Sequence, residues 1–274
     1  MTMLATAPRT TPAAAPAARF GDLVAAEWIK TRSLRSTPWV IGLTVLFVIG
    51  SAAAATLADR AAESGPAAFR SYDSFPPAGY WTLILVAATM GALTVVSEYS
   101  SGLIRTTTAA VPARGSVVLA KTAVTAALWT AVGTVASLGS FLVSQAVLDG
   151  RHVGVPITEP GVFRALVASA VLAPVCAVVG LGLGVLLRHA AGTVVTSVFV
   201  LLMLPTMFSE SNRWSADLKH ALVSAAWQRL VCPWAPDPDS LGYTATVPGC
   251  WLVYLLWPLV TVALAVIVVR RRDV

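Results

Sequence analysis

Six runs of the chain contain no Asp, Glu, Lys, Arg or His: Ser36–Ala58, Ser74–Ser97, Thr122–Leu148, Ala165–Leu187, Ala190–Ser209 and Ser240–Val269. Each reaches the ~20 residues that a helix needs to cross about 30 Å of hydrocarbon. Apolarity within them is continuous, without the period-two alternation of a barrel strand. The pattern predicts an all-α membrane protein with six transmembrane helices, at about 38–58, 78–97, 122–148, 165–187, 190–208 and 248–269. The fifth run is the shortest.

The polar segments between the runs divide the rest of the chain. Residues 1–19 are rich in Ala, Pro and Thr and lack the apolar core of a signal peptide, so they read as a disordered tail before one six-helix domain over 20–274. Phe20–Arg35 places Phe20, Leu23, Val24, Trp28 and Leu34 on one side of a helix, which Glu27 and Thr31 interrupt. One reading is an amphipathic interfacial helix on the inner leaflet, with Trp28 in the interface and Lys30, Arg32 and Arg35 meeting anionic headgroups. The other is an ordinary basic flank. Arg188–His189 leaves almost no connection between the fourth and fifth runs, which predicts a helical hairpin. Within Glu210–Asp239, the segment "SADLKHALVSAAWQRL" spaces Leu218, Leu222, Ala225, Ala226 and Leu230 as one short helix on the outer surface, either a structural lid or a gate.

Composition agrees with the pattern. Apolar residues make up 57% and charged residues 12% of the 274, with a mean hydropathy of +0.76; soluble domains carry about 25% charged residues. The net charge of +6 would suggest nucleic acid in a soluble protein. Its distribution says otherwise. With the N-terminus in the cytoplasm, 12 Lys/Arg and 4 acids fall inside, against 7 and 9 outside. That is the positive-inside asymmetry, and it places both termini in the cytoplasm. Three cysteines form no disulfide framework. Cys176 falls within a span, while Cys232 and Cys250 flank an outer loop where a disulfide is a minority possibility.

The chemistry missing from the spans narrows the function. Apart from Cys and Tyr they hold no ionisable group, so they offer an ion-coupled transporter no midplane relay. The three histidines lie in loops without metal-site spacing, and no nucleophile–base set is present. The chain is expected to be no enzyme and to hold no metal or cofactor. If it moves a substrate, the energy comes from another subunit. Gly180 and Gly184 stand four apart, a spacing that lets two helices approach closely, within the chain or at a dimer face.

Against this background the strip "SEYSSGLIRTTTAAVPARGSVVLAKT" (Ser97–Thr122) stands out. Glu98 lies just past the second run, Gly102 suits a turn, Leu103 and Ile104 are apolar anchors, and Arg105 adds charge. Lys121 marks the mouth of the third run. Such a strip suits insertion into a cleft on a partner; a solvated loop that obeys the positive-inside rule fits equally well.

At these residues the chain resembles the permease subunits of type 2 ABC (ATP-binding cassette) exporters, of the compact actinobacterial kind. "EWIKTRSLRSTPW" (Glu27–Trp39), "EYSSGLIRTTTAAVPARGSVVLAK" (Glu98–Lys121) and the terminal "RRRDV" carry the resemblance. Thr108 stands where the family pattern has leucine, and Ser100 where a basic residue is frequent. The resemblance implies that Phe20–Arg35 is a connecting helix. It further implies that Glu98, Gly102, Leu103, Ile104, Arg105 and Arg114 belong to a coupling region docking on a separate ATPase, which binds ATP and magnesium. A second permease chain, identical or different, would complete the path in a bacterial plasma membrane. A stand-alone membrane immunity protein, sequestering a toxic peptide without pumping, is the alternative.

Overall fold

A computed structural model describes residues 19–59, 69–102, 114–232 and 243–271 of the chain. Among them every regular element is helical. Six helices are long and apolar enough to cross a membrane. The first element among the described residues is α1 (Phe20–Ser33), and after Leu34–Arg35 the first span, α2 (Ser36–Ala58), follows. A single turn, α3 (Ser71–Ser74), leads into α4 (Pro77–Ser100), whose first position is a proline that needs no intrahelical N–H partner.

The third span, α5 (Arg114–Asp149), has 36 residues and rises about 54 Å, more than hydrocarbon thickness requires. It starts eight residues earlier than the charge-free run and carries Lys121 within its length. The fourth, α6 (Val162–Leu187), is the centre of the bundle. Its most apolar window is 72% buried, against 22% for the first, fifth and sixth spans. It packs against α4, α5 and the last span.

Close crossing of α4 and α6 depends on glycine. A Cβ on Gly91 would collide with the carbonyl of Ala177, and one on Gly180 with the carbonyl of Ala88. Gly184 faces α4 as well, with Ala92 O 3.1 Å from where its Cβ would stand. Gly180 and Gly184 therefore serve contacts inside the chain, which leaves them unavailable as a dimer face.

Arg188 ends α6 in the left-handed region (φ 55°), and His189 caps the next helix by accepting the Gly192 N–H at 3.1 Å on Nδ1. These two residues make the tight hairpin into α7 (Ala190–Met207). That fifth span widens to a π-helical turn at Phe199–Met203 and tightens to a 3-10 turn at Leu204–Met207, where Pro205 lacks a donor.

The segment expected as one surface helix is two: α8 (Arg213–His220) and α9 (Val223–Val231), broken at Ala221–Leu222. Only α8 lies outside, with Trp214 exposed. Val223, Ala226, Trp227 and Leu230 of α9 are buried in the core. Trp227 stacks on Tyr80 with ring centroids 5.1 Å apart, and its indole N–H donates to Ser169 Oγ at 3.1 Å. An outer helix anchored this way is a plug in the bundle. The last span, α10 (Val247–Arg271), closes the fold. Cys176, Cys232 and Cys250 are all free thiols.

Candidate functional site

Local sequence sets the orientation of α1. Its apolar residues Phe20, Trp28 and Ile29, and Leu34 just after it, are exposed, while Glu27 is only 6% exposed. The helix turns its polar stripe, Glu27, Lys30 and Thr31, toward the bundle, because two charges there await it. One is Glu98 at the end of α4, and the other is Lys121, about two turns into α5. Lys121 Nζ donates to Glu27 Oε2 at 2.6 Å and to Glu98 Oε1 at 3.0 Å. Lys30 Nζ donates to Glu27 Oε1 at 2.7 Å and to Glu98 Oε1 at 3.0 Å.

Four side chains from three helices thus form a closed ring of alternating charge. Glu27, Glu98 and Lys121 are buried and Lys30 is half-buried. Burial would raise the Glu27 carboxyl, but Lys121 and then Lys30 outweigh it and hold the group below its ordinary value. Burial likewise pulls the Lys30 ammonium down, and its hydrogen bonds to Glu27 and Glu98 reverse the sign and raise it. Both α1 members therefore keep their charges through neutral pH. A ring in which each carboxylate is held by two ammonium groups ties the three helices together and is a mechanical link.

The ring has a strategic position. Glu98 and Lys121 stand at the two ends of the polar strip, and Glu27 and Lys30 attach α1 to both. Nearby contacts brace the same end of the bundle. Arg188, at the end of α6, lies over the Tyr99 ring at 5.0 Å, and Arg270 of α10 packs on Gly115 of α5. A cavity of about 540 Å³ opens beside the ring between α1, α2, α4 and α5.

The sequence-expected site residues are distributed unevenly. Gly102 follows α4 with φ 72°, the left-handed value of a glycine just past a helix end. Arg114 begins α5. Leu103, Ile104 and Arg105 lie outside the described residues. Trp28, Arg32 and Arg35 are exposed, so they remain open to an interface, whereas Lys30 is drawn into the ring instead of reaching only for headgroups. Glu98 is 8% exposed and is paired with Lys30 and Lys121 of its own chain. Glu27 and Lys121 are not among the residues that the resemblance assigns to a site. The available signal was the interruption of the apolar stripe by Glu27, together with opposite charges at two span mouths.

Among the described residues no group of three or more His, Cys, Asp or Glu could hold a metal ion. No protein-family model matches the chain, and no curated protein matches it.

Proposed function

We propose that the chain is the membrane-spanning permease subunit of an ATP-driven exporter of the type 2 ABC class. It would pair with a second permease chain and with a separately encoded ATPase, in a bacterial plasma membrane with both termini in the cytoplasm. The observation that carries the reading is the ring joining Glu27 and Lys30 of α1 to Glu98 and Lys121.

A partner that pushes on the strip between Glu98 and Lys121 pulls on α1 through buried ion pairs. Because α1 runs into α2 after only Leu34–Arg35, the displacement passes to the first span. That is the linkage a permease needs if its energy comes from outside the membrane. The spans themselves carry no ionisable relay near their middle, which supports an external energy source.

The test is affinity purification of the tagged chain from its native membranes under mild detergent. We expect an ATPase subunit to co-purify with the wild type and to be lost from the Leu103→Asp/Ile104→Asp variant. Recovery of the inserted chain with no ATPase would favour the stand-alone immunity protein.

A further inference from the structure

We infer that the cavity beside the charge ring is a binding site for a neutral amphiphile, a short apolar chain with a hydroxylated head. The inference holds whether or not an ATPase partners the chain. At about 540 Å³ the space falls within the ~300–1,000 Å³ of small-molecule sites. Its walls divide by chemistry. Ile41, Met90, Leu93, Leu128 and Trp129 form an apolar side, and the charge ring with Ser36, Thr37, Ser97 and Ser101 forms a polar one. A ligand that satisfies both must itself be two-sided.

The ring selects the head. Two carboxylates and two ammoniums sum to zero, so a charged head would meet one attractive and one repulsive neighbour wherever it sat. Hydroxyls avoid that conflict, because each can donate and accept. The ring keeps capacity for both roles. Both lysines use the same oxygen of Glu98, Oε1, which leaves Oε2 to accept from a ligand. Lys30 Nζ has three N–H groups and spends two, on Glu27 and Glu98.

The experiment uses the full chain in lipid nanodiscs and a monoacylglycerol with a photoreactive diazirine in its chain. Wild type should crosslink at peptides containing Met90–Leu93 and Leu128–Trp129, and unlabelled monoacylglycerol should abolish those crosslinks. Chain-matched probes with a trimethylammonium or a sulfate head should fail to label the same peptides. Leu128→Trp and Met90→Phe, which fill the cavity, should lose the label. Val135→Trp, on the exposed face of α5, should keep it. Equal labelling by charged probes overturns the inference, as does label confined to outward residues of α2 and α10 without competition. Wild-type cavity peptides free of label would do the same, for instance if another part of the chain fills the space. The competition and head-group arms need only the wild type, so a misfolded variant leaves the result decisive.

Discussion

Lys121 Nζ lies 2.6 Å from Glu27 Oε2, joining residues 94 positions apart in a pocket where neither side chain is more than 7% exposed. Removing one member leaves a buried charge uncompensated, which costs about 3–5 kcal/mol, whereas removing both partners of a pair together costs far less. Lys121→Met should therefore lower the thermal unfolding temperature of the purified chain strongly, and Glu27→Gln/Lys121→Met should recover most of the loss. Equal losses in the two variants would show that the cost of Lys121→Met does not come from an uncompensated Glu27 carboxylate.

This pair also marks how far the sequence could be read. Continuous apolarity specifies spans directly, because each must bury its backbone polar groups by itself, and Ser36–Ala58 is a helix of those bounds. The charge-free run predicts a third span that starts at 122, after Lys121, since an unpaired ammonium has no place in hydrocarbon. The helix runs on to Arg114 and carries that lysine within it, paired with Glu27 and Glu98. Only tertiary structure brings such partners together. The orientation of α1 was hidden for the same reason: a helical wheel ranks residues by apolarity, while here two buried charges decide which face turns inward. The break between α8 and α9 is a third case. Leu218 and Leu222 share the helical spacing of Leu230, yet Leu218 remains exposed and Leu230 is buried beside Trp227.

The crossing of α4 and α6 predicts a contrast between glycines. At Gly180 an added methyl group meets the backbone of Ala88, which has no rotamer to swing aside, so Gly180→Ala should destabilise by about 1–3 kcal/mol. Nothing lies within 4 Å of the position a Cβ would take on Gly50 in α2. Gly50→Ala should be neutral or stabilise by about 0.5–1 kcal/mol, through backbone entropy alone. Thermal unfolding of the two variants in one detergent checks both signs.

At the opposite end of the bundle, burial and then the neighbouring Asp59 carboxylate push Asp73 up to about 6, against the pull of Arg70 and Arg151. A carboxyl raised in the folded state binds its proton more tightly there than in the unfolded chain. Its contribution is therefore fully present below the unfolded value of 3.8 and is lost as pH rises through about 6. Asp73→Asn mimics the protonated form. Its unfolding temperature should exceed that of wild type at about pH 8 and converge with it near pH 4. A constant difference across that range would place the titration elsewhere.

Topology gives an independent prediction. In a Cys232→Ser background, cysteines replacing Ser101 and Glu159, both exposed, should react with an impermeant thiol reagent from opposite sides. Ser101→Cys should label only in inside-out vesicles and Glu159→Cys only in intact cells. Labelling from the same side would break the odd number of crossings that α5 provides.

The most direct test of the account is ATP hydrolysis by the nanodisc-reconstituted complex, measured for wild type and for Glu27→Gln/Lys30→Met, which leaves Glu98 and Lys121 paired with each other, at verified subunit ratio. The double variant keeps the bundle but removes the ionic link between α1 and the strip that begins at Glu98. The account predicts that ATPase subunits stay bound and that hydrolysis loses its dependence on the permease. Unchanged, permease-dependent hydrolysis in the double variant would contradict it.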